Sequence, residues 1–127
     1  MQKLSIKVVG KVIHGNARGR TLGFPTANLE IIESLDYEVK QGVYAGYIKV
    51  EERVYLTAAS LGPAKTFNEI NVLYEAHILD FNQDIYDEIV ELELVYYLRD
   101  LEKFESVEEL IIWLNRDVEM TRELLEV

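Results

Sequence analysis

The sequence predicts a mainly β single domain, residues 1–127, in which antiparallel strands form a barrel or sandwich with one C-terminal helix laid against it. Three observations carry this. Val90, Leu92, Leu94, Tyr96 and Leu98 alternate with Glu91 and Glu93, as a strand with one buried face requires. Gly42–Val50 and Arg53–Ala59 are strand-like runs separated only by Glu51-Glu52, which reads as a hairpin without the favoured Asn-Gly turn. Ser106 with Glu109 forms a capping box, and Val107, Leu110, Ile111, Leu114 and Val118 recur behind it at helical spacing.

Taken in order, Leu4–Ile13 is rich in Ile and Val and reads as the first strand. A Gly- and Arg-rich loop, Gly15–Asn28, follows, and Leu29–Gln41 is mixed and acidic, an irregular connection. In Gly42–Val50 the residues Tyr44, Ile48 and Val50 share a face, with Gly46 leaving room between them. Ser60–Asn71, which contains Gly62-Pro63, reads as a loop. Val72–Leu79 is a strand, Phe81–Asp87 turns the chain, and Glu88–Leu98 is the clearest strand. Trp113 and Met120 widen the apolar stripe of the C-terminal helix and are expected to pack in the core or a groove. Neither repeat nor low-complexity segment interrupts the chain.

A net charge of −10 argues against nonspecific nucleic-acid binding. The charge is unevenly placed: residues 1–28 carry Lys3, Lys7, Lys11, Arg18 and Arg20 and no acidic residue. Such a segment can focus an anionic small molecule, or it can simply face a carboxylate-rich surface of the fold. Cysteine is absent, the start lacks a signal-peptide apolar run, and no stretch approaches a membrane span. The expectation is a cytoplasmic monomer with no nucleic-acid and no membrane partner.

The Gly15–Asn28 loop holds the parts of a phosphate site. Glycine lets amides approach a ligand, Arg18 and Arg20 offer forked donors, and Thr26 and Asn28 offer hard oxygens suited to Mg2+. The same composition also describes a plain solvated loop. On the Val72–Leu79 strand, period two places Leu73, Glu75, His77 and Leu79 on one face, with Glu75 and His77 ~7 Å apart at Cα. If that face is apolar, the Glu75 pKa rises toward that of a general base; if it is outward, both residues are merely solvated. Tyr96-Tyr97-Leu98-Arg99 and Phe104 lie at a strand–helix junction, where they can stack a flat ligand or pack among themselves.

Gly19-Arg20-Thr21-Leu22-Gly23-Phe24-Pro25-Thr26-Ala27-Asn28 resembles the signature of the ATP-dependent riboflavin kinase (flavokinase) family. Gly42–Ala45, Tyr74–Phe81, Asp84–Tyr86, Tyr97–Arg99, Phe104–Leu110 and Asp117 extend the resemblance, in order, over nearly the whole chain. It implies a six-stranded antiparallel Greek-key barrel with a C-terminal helix packed against it. It implies transfer of the ATP γ-phosphoryl group to the 5′-hydroxyl of riboflavin, giving FMN and ADP. By the resemblance, Thr26 and Asn28 hold Mg2+ with the phosphates and Glu75 is the catalytic base. Gly15, Arg20, Ile78 and Tyr86 line the nucleotide, while Arg99, Glu102 and Phe104 hold the flavin.

The chain departs from the family pattern at named positions. Ser60 stands where the family usually has asparagine, Lys65 where it has proline, Asp87 where glycine is common, and Asp100 where many members carry proline. The alternative these departures raise is a flavin- or nucleotide-binding module of the same fold without kinase activity.

Overall fold

The computed structural model describes residues 1–14, 23–34, 38–66 and 69–126, with 64–66 and 69–71 described by their backbone. Among the described residues, six strands precede one helix. They are β1 (Ile6–Ile13), β2 (Ala27–Ser34), β3 (Gly42–Val50), β4 (Arg53–Thr66), β5 (Glu69–Ile78) and β6 (Ile89–Arg99), followed by α1 (Val107–Leu125). The strands close into a barrel in spatial order β1-β2-β5-β4-β3-β6, with every neighbouring pair antiparallel. β3, β4 and β5 follow as successive hairpins and β6 returns beside β3, which is the Greek-key order.

The interior is filled by one side-chain set from each strand, including Val8, Leu29, Tyr44, Ile48, Leu61, Tyr74, Ile78, Leu92 and Leu94. Because side chains alternate, Asn28, Val43, Ser60 and Glu75 point to the outside of the same wall. There α1 covers part of it: Leu125 packs on Ala45 and Val95, flanked by Tyr47, Leu56, Tyr96 and Leu98. The helix starts as its sequence predicts, with the Ser106 hydroxyl accepting from the Glu109 amide at 3.1 Å. Its buried positions, however, are Asp117, Thr121 and Leu125, whereas Val107 from the predicted apolar stripe is 44% exposed. Polar partners explain this. Asp117 is paired with Arg99, and the Thr121 hydroxyl donates to the Asp117 carbonyl.

Two features differ from the sequence expectation and two sharpen it. The stretch read as an irregular connection from Leu29 contains most of β2, held by β1 on one side and β5 on the other. The stretch read as a loop between Ser60 and Asn71 extends β4 and β5 into a paired arm, Gly62↔Leu73 to Thr66↔Glu69. Beyond Leu61 that arm has no further partner on β3, so Pro63 sits where a missing N–H costs nothing. Gly46 does more than leave room: a Cβ there would lie 2.1 Å from the Glu93 carbonyl oxygen, at the register shift where β6 crowds β3. The Glu51-Glu52 turn is the tight two-residue turn expected, but both residues take positive φ, 47° and 71°. The twist of a two-residue hairpin demands that conformation, and non-glycine residues adopt it at a cost.

Candidate active site

One row of cross-strand partners crosses four seams of the outer wall. Asn28 on β2 faces Glu75 on β5, Glu75 faces Ser60 on β4, Ser60 faces Val43 on β3, and Val43 faces Arg99 on β6. Directly opposed residues share a face, with Cα atoms ~5 Å apart. Glu75 therefore lies on the same side of the wall as Asn28 and next to it, whereas Arg99 lies three strands further round the closed barrel. The row joins two corners that the sequence marked separately.

At the first corner, Thr26, Asn28, Ile78 and Tyr86 line a cavity of about 510 Å³, together with Pro25 and the Phe81–Tyr86 loop. The start of β2 supplies Asn28, the end of β5 supplies Ile78, and the loop supplies Tyr86. His14, at the end of β1, stacks on the Tyr86 ring at 3.7 Å and 19°. That contact spans 72 positions of sequence, and nothing local announces it. The Asn28 Oδ1 atom is buried without a hydrogen-bond partner among the described residues. A buried carbonyl oxygen is normally satisfied, and one left open fits an oxygen-seeking cation. Thr26 adds a second neutral oxygen on the same cavity wall. Two neutral donors alone would hold such a cation weakly, so further oxygens, from water or a bound ligand, would have to complete its shell. Gly15 and Arg20, expected beside the nucleotide, lie outside the described residues, as does Arg18.

Glu75 is half-buried, and burial raises its pKa above the ordinary 4.5. The strand face it shares with His77 is thus outward from the barrel yet not freely solvated. His77 donates from Nδ1 to the Pro25 carbonyl at 2.8 Å and meets the Phe24 ring edge-on at 5.6 Å.

At the second corner, Arg99 makes a two-pronged ion pair with Asp117, Nε to Oδ1 and a terminal nitrogen to Oδ2, both at 2.8 Å. Side-chain exposures are 14% and 7%, so this is a largely desolvated pair. The Arg99 guanidinium also lies 5.1 Å from the Trp113 ring centre and 5.9 Å from that of Phe104. Arg99 and Phe104 are thereby brought together with two helix residues, while Glu102 is exposed beside them. Asp100 stays at this corner: it accepts from the Tyr97 hydroxyl and pairs with Lys40. Burial, then the contact with Asp100, pushes the Tyr97 pKa up to about 12.

The described lysines of the acid-free segment do not converge on the cavity. Lys11 is paired with Asp87 at 2.8 Å, and Lys7 lies opposite Glu93. For these residues the carboxylate-facing alternative holds.

Comparison with known proteins places this geometry. The family model "Flavokinase: Riboflavin kinase" matches residues 2–125. The riboflavin kinase of Mus musculus is 32% identical over 132 aligned positions, covering 100% of this chain and 85% of that protein. The bifunctional riboflavin kinase/FMN adenylyltransferase of Listeria monocytogenes is 44% identical over 89% of this chain, but the chain spans only 36% of its length. The chain spans about a third of the length of the first bifunctional relatives it matches. A crystal structure described as a macrolide-efflux protein from Streptococcus pneumoniae has the same fold, with TM-score 0.85 and 42% identity over 91% of this chain and 38% of that one. No helix among the described residues of this chain is long and apolar enough to cross a membrane.

Proposed function

The chain belongs to the riboflavin kinase family, and from that premise we propose that it transfers the γ-phosphoryl group of ATP to the 5′-hydroxyl of riboflavin, giving FMN and ADP. The observation that carries the reading is the outer-wall row. It sets a half-buried carboxylate, Glu75, directly opposite Asn28, whose buried carbonyl oxygen has no described partner.

In this reading ATP occupies the cavity lined by Thr26, Asn28, Ile78 and Tyr86, with the expected contributions of Gly15 and Arg20. Thr26 and Asn28 hold Mg2+ through neutral oxygens. The bound ion neutralises phosphate charge, which is the larger part of what phosphoryl transfer needs. The isoalloxazine ring lies at the Arg99–Phe104 corner with Glu102 at its edge. The terminal hydroxyl of the flavin's five-carbon chain is placed against Glu75 in this reading. The carboxylate accepts the proton of that hydroxyl as its oxygen attacks the γ-phosphorus. Desolvation raises the Glu75 pKa and so makes it a stronger base than a free carboxylate. Arg99 keeps its orientation through Asp117 rather than through the ligand, so the corner is formed before flavin arrives.

Incubating the protein with riboflavin, ATP and Mg2+ and separating the flavins by chromatography tests this; FMN is the expected product. Absence of FMN across a range of pH and divalent metals overturns the proposal. A second reading, a flavin- or nucleotide-binding module of the same fold without kinase activity, rests on Ser60, the neighbour of Glu75 on β4, standing where the family has asparagine. Quenching of flavin fluorescence with no turnover of ATP favours it. A cytoplasmic monomer acting on small molecules, without a nucleic-acid partner, fits either reading.

A further inference from the structure

The pairing that sets Asn28 against Glu75 is the shortest seam of the barrel. β2 and β5 are in register at Ala27↔Ala76, Asn28↔Glu75 and Leu29↔Tyr74 only, whereas β4 and β5 pair from Thr57↔Ile78 to Thr66↔Glu69. The ladder stops just short of Thr26, where Pro25 has no N–H to continue it. A side chain takes over at that point. The His77 ring reaches from β5 to the Pro25 carbonyl at 2.8 Å, and Phe24 closes edge-on against the same ring. A carbonyl oxygen can only accept, so Nδ1 is the protonated ring nitrogen in this contact. His77 is itself braced from β4, because the Thr57 hydroxyl donates to its backbone carbonyl at 2.8 Å.

We propose that His77 is a positioning residue. Its Nδ1–H bond to Pro25 fixes the start of β2, and so aims Thr26 and Asn28 at the spot that Glu75 faces. His77 touches neither substrate. It acts by tying down, through the Pro25 carbonyl, the strand end that the missing Pro25 N–H leaves without a ladder bond. The inference rests on the kinase reading for its consequence in turnover, but not for its consequence in the apo chain.

Asparagine places its amide nitrogen the same number of bonds from Cα as Nδ1, and glutamine places its own at the distance of the other ring nitrogen. The two variants therefore separate the donor from mere polarity. In His77→Gln the KM for Mg·ATP rises about tenfold and kcat falls less, as expected for a lost bond and a misplaced pair of oxygens. His77→Asn recovers most of that loss. Calorimetric titration with Mg·ADP in the absence of flavin gives the same order: wild type, Asn, Gln. In the protein without ligand, amide exchange at Thr26–Leu29 is fastest in the Gln variant and slowed again in the Asn variant, while exchange on α1 is unchanged. If the wild type makes no FMN, the kinase reading fails, and the exchange comparison still decides this one. A His77→Gln protein with wild-type exchange at Thr26–Leu29 overturns the proposal. An Asn variant as impaired as the Gln variant does so too.

Discussion

Replacing Glu75 by glutamine keeps shape and removes only the charge, so function and stability should move in opposite directions. Loss of a positioned general base costs about 10²–10⁴ in kcat, or roughly 2.7–5.4 kcal/mol of barrier. The cavity proposed for the nucleotide is lined by Thr26, Asn28, Ile78 and Tyr86 and not by Glu75, so Mg·ADP affinity should change by no more than about twofold. Stability follows from the burial of the carboxylate. Its pKa is raised above 4.5 in the folded chain, so between the unfolded and folded values the folded state holds more protons. Stability therefore falls as pH rises through that window, and the whole cost of a half-buried charge is present above it. Glutamine is free of that cost. The variant should melt with the wild type below pH 4 and at or above it at pH 8. Single-turnover kinetics, Mg·ADP calorimetry and thermal unfolding at the two pH values check this. Unchanged kcat removes Glu75 from the chemistry. A fall in Mg·ADP affinity of tenfold or more makes it a metal ligand instead of a base. A lower melting temperature at pH 8 shows that the carboxylate is paired and that the electrostatic reasoning is wrong.

Other consequences follow from the same geometry. Asn28→Asp puts a second carboxylate directly opposite Glu75; like charges raise the base pKa further, so the acid limb of the kcat/KM profile should move to higher pH, and an unmoved limb contradicts the pairing. Asp117→Ala strands the buried Arg99 guanidinium and should cost about 3 kcal/mol. For 127 residues, at ~2.1 cal/mol/K per residue, the unfolding entropy is about 0.27 kcal/mol/K, so melting should drop by roughly 11 K, with weaker flavin binding in the same titration. Exchanging Glu51-Glu52 for Asn-Gly relieves two positive-φ residues and should add about 1 kcal/mol, a rise of roughly 4 K; scanning calorimetry decides, and a lower melting temperature would mean that the ion pair Glu52 makes with Lys49, at 3.6 Å, outweighs the turn.

The residue pattern carries much of this fold because much of it is local. β6 is legible because Glu91 and Glu93 mark its wet face, and α1 because Ser106 and Glu109 cap it within three residues. β2 is harder to read: Ala27, Leu29 and Ile31 alternate with Asn28 and Glu30 for five residues only, Ala27 and Asn28 belong to the Gly- and Arg-rich motif, and Ile32, 58% exposed, then breaks the period. The β4–β5 arm is hidden by Gly62-Pro63, a turn signal in isolation that an unpaired flank tolerates. Of the site, Thr26, Asn28, Ile78 and Tyr86 stand out by motif and share one cavity. The contacts of His14 and His77 were not legible, although His77 sits in the Glu75 strand motif, because their partners, Tyr86 and Pro25, are far away in sequence.

Residue types and motif order alone mark which groups can do chemistry: oxygens at Thr26 and Asn28, a carboxylate at Glu75, an arginine and an aromatic at Arg99 and Phe104. They also mark most of the strands and the helix, through periods that need no partner to be read. Which strand lies beside which was left to tertiary structure, and with it the opposition of Asn28 and Glu75 and the reach from Glu75 to Arg99. Alternation sets the face on which a side chain emerges, but register is chosen by the fit of whole strands around the closed core, and only that choice turns separate residues into neighbours.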